Sequence, residues 1–268
     1  MKKYFVIGNP IEHSLSPKLH NYWIKKNNIK AVYDKKQLNE NDIEGIISEV
    51  RKNKINGLNI TVPFKKTIIP FLDDLTPLAK KTQSVNTIYK EENKVIGHNT
   101  DIGGFELAIK KINYDVRNKK VFILGAGGVV PSIIIALKKM GASKIILSNR
   151  TIENAQNLKK IMSELEVLNW GEIPDFDIII NATTLGLKKT DEIKLDYTAI
   201  GSNKLFYDVI YNPKLTNFLL NAKESGNQIE NGKMMFIYQA HQAFAIWHKI
   251  LPIINNETMK QLNYWIND

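Results

Sequence analysis

The sequence predicts an α/β protein of two domains. Short Ile/Val/Leu-rich runs alternate with amphipathic stretches, the pattern of strands and helices in a parallel or mixed sheet. The alternation forms two series, one before Asp101 and one after it. In the second series the strands are near-continuous apolar runs, as expected of a sheet covered by helices on both faces.

The elements follow in chain order. Tyr4–Gly8 reads as a strand and Pro17–Asn27 as a helix, with Ser16 as its N-cap and Pro17 at the first helical position. Ala31–Leu38 and Ile55–Val62 read as strands, with a helical stretch around Ile43–Lys52 between them. Val85–Tyr89 and Lys94–His98 flank Glu91-Glu92-Asn93, a hairpin signal. A helix over Gly104–Ile112 leads into the second series. Its strands are Val121–Leu124, Lys144–Ser148, Glu166–Leu168, Phe176–Asn181 and Leu205–Val209, and its helices Pro131–Met140 and Glu153–Leu165. Met234–Ile250 and Glu257–Ile266 read as closing helices that pack back on the first domain. The domains are therefore 1–101 with about 237–268, and 102–236.

Composition narrows the function. The 268 residues are 43% hydrophobic and 24% charged, ordinary for a globular chain large enough to bury its own core. The absence of cysteine excludes disulfides, thiolate catalysis and Cys-based metal sites. The net charge of +10 raises nucleic-acid binding. However, 34 of the 37 basic residues are Lys, scattered as doublets, and only Arg51, Arg117 and Arg150 carry the planar fork that phosphate and base readers favour. Nucleic acid is therefore not expected as a partner. The five His have no carboxylates at ligand spacing, so no metal site is expected. Val121 to Leu137 is uncharged over 17 residues, but glycines and Pro131 break it, so strand–turn–helix fits better than a membrane span. No signal peptide is visible, and a soluble cytoplasmic protein is expected.

Two sites are legible from residue type and spacing. Gly125-Ala126-Gly127-Gly128 lies between a strand and a helix. Gly125 suits a tight turn, Gly127 close approach of backbone to a pyrophosphate, and the helix N-terminus offers free N–H groups to phosphate. At the end of the next strand, readers of NAD place an acidic residue for the ribose hydroxyls. Here Asn149 and Arg150 stand there, and a guanidinium pairs with a 2′-phosphate, so NADP is expected over NAD. Near the N-terminus, Ser14 and Ser16 sit at a helix start, suited either to plain capping or to holding a carboxylate. Asn59 and Thr61 point to one face of a strand end, and Lys65 follows in the loop. Asp101, taken alone, fits a helix N-cap as well as a catalytic role.

Taken together, these motifs resemble those of the shikimate dehydrogenase family. They are GNP-x-x-HSLSP-x-x-HN from Gly8, N-x-T-x-P-x-K from Asn59, VNT from Val85 and NTD-x-x-G from Asn99. GAGG from Gly125, NRT from Asn149, NATT-x-G from Asn181 and NG-x-x-M…Q from Asn231 follow in consistent order. The resemblance implies a mixed or parallel α/β substrate domain, a Rossmann-like NADP-binding domain and a cleft between them. It implies reduction of 3-dehydroshikimate to shikimate with NADPH in aromatic amino-acid biosynthesis. By motif position, Ser14, Ser16 and Tyr211 hold the substrate carboxylate. Thr61, Asn86, Asp101 and Gln239 take the ring hydroxyls, Asn59 and Lys65 also bind substrate, and Lys65 and Asp101 are the catalytic pair. Gly125, Ala126, Gly127, Gly128, Val129, Asn149, Arg150, Thr151, Asn181, Thr183, Val209 and Gly232 line NADP(H). The expected partners are the small-molecule substrate and, as an admissible assembly, a second copy of the chain. Two departures stand out: Asn154 replaces a basic residue the family often carries after NRT, and Val129 and Val130 replace small residues after GAGG. Rival readings are a quinate/shikimate dehydrogenase and a non-catalytic dinucleotide-binding regulator. Arg150 speaks against an NAD-using version of the first, and the presence of Lys65 with Asp101 against the second.

Overall fold

The computed structural model describes residues 1–267. The chain divides into two compact units, Met1–Gly104 with Tyr238–Asp268, and Phe105–Ile237. The first unit contains β1 (Lys2–Gly8), α1 (Ser16–Lys26), β2 (Ala31–Gln37), α2 (Ile43–Arg51), β3 (Gly57–Ile60) and α3 (Phe64–Thr67). These are followed by β4 (Asp74–Leu75), α4 (Pro77–Thr82), β5 (Thr87–Glu91) and β6 (Lys94–His98). Helix α5 (Asp101–Lys111) carries the chain from the first unit into the second.

The second unit holds β7 (Lys120–Leu124), α6 (Val130–Lys139), β8 (Lys144–Ser148), α7 (Ile152–Ile161), β9 (Glu166–Leu168) and β10 (Ile178–Asn181). It continues with α8 (Tyr197–Ile200), β11 (Leu205–Asp208), α9 (Asn217–Glu224) and β12 (Gln228–Glu230). Helix α10 (Lys233–His248) returns the chain to the first unit, which α11 (Asn256–Asn267) completes. Among the described residues no helix is long and apolar enough to cross a membrane. The uncharged run from Val121 is divided between β7 and α6 by the glycine turn.

The first sheet has the order β2-β1-β3-β5-β6-β4. β1 pairs parallel with β2 and β3, and β5 runs antiparallel to β3 and β6. β5 and β6 form the hairpin the sequence signals, but with a turn of two residues rather than Glu91-Glu92-Asn93: Glu91 pairs with Lys94, and Glu92 and Asn93 both have positive φ, the geometry of a type I′ turn. This mixed order brings the carboxyl ends of β1, β3 and β6 and the amino end of β5 to one edge of the sheet. One core lies beneath, built from Ile7, Ile47, Leu58, Phe64, Ile88 and Val95. On α1, Leu19, His20, Trp23 and Ile24 form one buried face.

His20 on that face and His248 on α10 are two histidines kept neutral. His20 is fully buried against Trp23 and Tyr33, with neither ring nitrogen hydrogen-bonded, and lies near His248 and Phe244 of α10. Burial first, then the nearby His248, pushes His20 down to about 3; burial pushes His248 down to about 4. An unfolded histidine titrates near pH 6.5, so below that value the unfolded chain takes up protons that the folded chain refuses. Stability from these rings is complete above about pH 6.5 and drains away as pH falls toward about 3, by roughly 4 kcal/mol for His20. Urea midpoints measured between pH 7 and 4 are expected to fall, and His20→Phe to flatten that fall. An equally steep acid limb in the variant removes His20 as its cause.

The second sheet is wholly parallel, in the order β12-β11-β10-β7-β8-β9. Read from β9, this is the 3-2-1-4-5-6 order of dinucleotide-binding sheets, with the reversal between β7 and β10. Phe122, Ile146, Ile179, Phe206 and Phe218 fill one face.

Several local expectations are corrected. Ser16 is not the N-cap of α1: Leu15 holds that position, and the Ser14 hydroxyl accepts the Ser16 N–H at 3.3 Å. The helix expected over Glu153–Leu165 stops at Ile161, and the strands expected from Ile55, Val85 and Phe176 begin two residues later. The two-residue β4 and three-residue β12 carry no sequence period to read, and α9 lies in a stretch the sequence left unassigned.

Candidate active site

Most polar motifs of the first unit collect at the one sheet edge defined above. The link after β3 is fixed at both ends: Thr61 N–H donates to the Ile7 carbonyl at 2.9 Å, and the Lys65 carbonyl accepts from Val85 N–H at 2.8 Å. Phe64 anchors this turn in the core. Lys65 is thereby held inward, only 8% exposed, with its Nζ 2.6 Å from Asp101 Oδ2.

Asp101 begins α5 but does not cap it. Asn99 does so, its Oδ1 accepting the N–H groups of Asp101 (3.1 Å) and Ile102 (3.3 Å). The Asp101 carboxylate is left for other work. Its second oxygen accepts from Asn86 Nδ2 at 2.9 Å. Asn86 is oriented in turn by Thr100, whose N–H donates to its Oδ1 at 2.7 Å and whose Oγ1 accepts its other amide hydrogen at 2.9 Å. Lys65, Asp101 and Asn86 thus form one buried array, in which each oxygen of Asp101 accepts a hydrogen bond, one from Lys65 and one from Asn86.

Asn59 sits beside this array. Its Nδ2 donates to the Asn86 carbonyl at 3.0 Å and Thr87 Oγ1 at 3.2 Å, while its Oδ1 accepts from the Tyr33 hydroxyl at 2.7 Å. One acceptor position remains on that oxygen. Ser14 and Ser16 lie after β1 on the same edge, Thr61 is half-buried after β3, and Gln239 lies half-buried on α10.

The second unit gathers its motifs at the carboxyl edge of the parallel sheet. Gly125 follows β7 with φ +110°, and a side chain there would meet the carbonyl oxygen of Ala182, just after β10, at 2.7 Å, so only glycine fits. Around Gly127 the reverse holds: a Cβ would meet nothing within 4 Å. Open space therefore lies over backbone leading into α6, the cradle a pyrophosphate requires. Ala126 N–H donates to Asn149 Oδ1 at 3.0 Å, and Asn149 Nδ2 donates to the Thr151 carbonyl at 2.7 Å. Arg150 beside it is exposed. These residues fit a dinucleotide carrying a 2′-phosphate.

Other expected lining residues have structural roles. Asn181 is fully buried, donating to Leu185 O at 2.9 Å and Asp208 Oδ1 at 3.1 Å and accepting from Thr183 N–H and Oγ1. Its side chain shapes the loop after β10. Gly232 approaches Val209 so closely that a Cβ would sit 2.0 Å from its carbonyl oxygen. Val129 is half-buried at the start of α6 and Val130 fully buried behind it. Tyr211 lies in the second unit, stacked on Phe236 at 4.6 Å.

Comparison with known proteins decides the relationship. The model of the shikimate dehydrogenase substrate binding domain matches residues 6–88, and that of shikimate / quinate 5-dehydrogenase matches residues 106–193. A shikimate dehydrogenase (NADP(+)) of Pelagibacter ubique is 62% identical over 98% of this chain and 100% of its own length. The chain belongs to the shikimate dehydrogenase family.

Solved shikimate dehydrogenases share its fold. The enzyme from Aquifex aeolicus superposes with a TM-score of 0.90 at 36% identity, covering 98% of this chain and 97% of that one. The Thermus thermophilus enzyme, solved with NADP(H) and shikimate, gives 0.89 at 28% identity over 99% and 100%. Against this family background the structure adds residues that motif reading missed. Thr100 and Thr87 orient Asn86, Tyr33 bonds Asn59, and buried Asp208 ties Asn181 to Thr216. Burial raises Asp208 to about 6. Thr87 and Thr100 are the threonines of VNT and NTD themselves and were open to discovery on that ground; Asp208 ends a strand and gave no signal.

Proposed function

We propose that the protein catalyses the reversible NADPH-dependent reduction of 3-dehydroshikimate to shikimate. The buried Lys65–Asp101 pair, set at the sheet edge among oriented amides, carries this reading. Ser14 and Ser16 receive the substrate carboxylate, with Tyr211 assisting. Thr61, Asn86, Asp101 and Gln239 take the ring hydroxyls, and Asn59 accepts one at its remaining oxygen site. NADPH, held by the Gly125–Val129 turn, Asn149–Thr151, Thr183, Val209 and Gly232, supplies the hydride.

The chain's own chemistry is then proton management. A ketone that gains hydride becomes an alkoxide and needs a proton. Lys65 Nζ donates it, and takes it back in the oxidation direction. Asp101 aims the ammonium through its 2.6 Å contact, and Asn86 keeps the carboxylate from turning. Cytoplasmic residence and a homodimeric assembly belong to the same proposal.

Initial rates of nicotinamide oxidation with 3-dehydroshikimate, NADPH against NADH, test it. Turnover with strong NADPH preference is expected. Equal or better turnover with NADH keeps the reaction and overturns the role of Arg150. No turnover with either, in protein that binds NADPH, overturns the reaction.

A further inference from the structure

We propose that the Tyr33 hydroxyl is a positioning group for substrate binding, acting through the Asn59 amide. The inference rests on the reaction proposed above and adds a residue to its site. Tyr33 belongs to β2, an edge strand whose other residues are exposed or half-buried, yet Tyr33 itself is 1% exposed.

It is held in three ways. Asn21 pairs with its backbone on both sides, Nδ2 donating to the Tyr33 carbonyl at 2.7 Å and Oδ1 accepting its N–H at 3.0 Å. The side-chain amide thus stands where a further strand would be. The His20 ring lies flat on the Tyr33 ring, centroids 4.2 Å apart and planes 2° from parallel. With both His20 nitrogens unpartnered, that residue offers a flat neutral surface and no hydrogen bond. The hydroxyl, finally, donates to Asn59 Oδ1 at 2.7 Å, and Ser16 is a second side-chain partner. The His20-Asn21 pair that closes the opening motif therefore serves one tyrosine.

The consequence lies in the symmetry of an amide. Oxygen and NH2 ends have nearly the same shape, and hydrogen bonds alone decide which faces where. The Asn86 carbonyl can only accept, which fixes the NH2 toward it and Thr87 Oγ1 and the oxygen toward β2, where the Tyr33 hydroxyl proton holds that oxygen in place. Thr87 Oγ1 passes the order on to Asn86 Oδ1 at 3.1 Å. Without the Tyr33 donor, Asn59 loses the bond that orients the acceptor left for a ring hydroxyl. Binding suffers more than the chemical step, because Lys65 and Asp101 keep their own contact.

Steady-state kinetics with shikimate and NADP+ test this on the full chain. In Tyr33→Phe, the shikimate KM is expected to rise about tenfold with kcat within about threefold, the split of a lost positioning bond. The NADP+ KM is expected to stay at the parent value. In an Asn59→Ala background, Tyr33→Phe is expected to add nothing, since the two act as one unit. An unchanged shikimate KM, or a full additional loss in the Asn59→Ala background, overturns the proposal. Should Tyr33→Phe fail to fold, Thr87→Val cuts the same chain at its next link: the same KM rise is expected, with Thr87→Ser restoring it, and an unchanged KM is again contrary. A parent protein that does not oxidise shikimate overturns the reaction and this inference with it. An active parent with an unaltered Tyr33→Phe overturns this inference alone.

Discussion

Lys65→Ala is expected to lower turnover about 10²–10⁴-fold, the range for a lost acid–base group. The reason is local. Lys65 is the buried cation against Asp101, and the other oriented groups around it are amides and hydroxyls, poor proton donors to an alkoxide. NADPH binding is expected to survive, because the glycine turn and Arg150 belong to the other unit. The melting temperature is expected to drop, since removing Lys65 leaves the Asp101 carboxylate buried without its charged partner, held by Asn86. Single-turnover rates, fluorescence titration with NADPH and a melting curve separate these effects. Near-parental turnover removes Lys65 from the mechanism. Loss of NADPH binding shows a damaged fold and leaves Lys65→Met, which keeps the buried side-chain length without the charge, as the deciding variant; parental turnover there is equally contrary.

How the same array was visible in sequence is instructive. Lys65 is one lysine among 34, and nothing in its charge sets it apart. Its place after a strand that ends in alternating polar residues gave the direction, and the resemblance gave the role. The period-two and period-3.6 patterns located the central strands and long helices because burial imposes those periods. β4 and β12 were invisible because two or three residues define no period, and both lie at sheet edges where burial is partial. The cap of α1 was misassigned, and that of α5 left open, for a different reason. Ser14 and Ser16, or Asn99 and Asp101, are alternative caps separated by two residues, and only backbone dihedrals choose between them. Tyr33 lay beyond sequence reasoning because its hydroxyl meets Asn59, 26 residues away. The unexplained His20-Asn21 at the end of the opening motif was the trace it left.

Arg150→Gln is expected to cut the preference for NADPH over NADH about ten- to a hundredfold, the equivalent of one charge-assisted hydrogen bond of roughly 1.5–3 kcal/mol. The neighbouring residues narrow the assignment to this side chain. Asn149 stands where NAD readers carry an acid, but its oxygen holds Ala126 N–H and its NH2 holds the Thr151 carbonyl, so its amide shapes the turn. Asn154, where the family often carries a second basic residue, has no charge to contribute. Arg150 is exposed on the loop after β8, so its attraction for a 2′-phosphate acts through water and is screened by salt. Raising the salt concentration is therefore expected to weaken NADPH preference in the parent and to leave it nearly unchanged in the variant, while kcat/KM with NADH barely moves in either. A glutamine that retains the parental NADPH:NADH ratio at low salt shifts recognition of the phosphate to the backbone N–H groups of the turn, whose attraction the substitution does not touch.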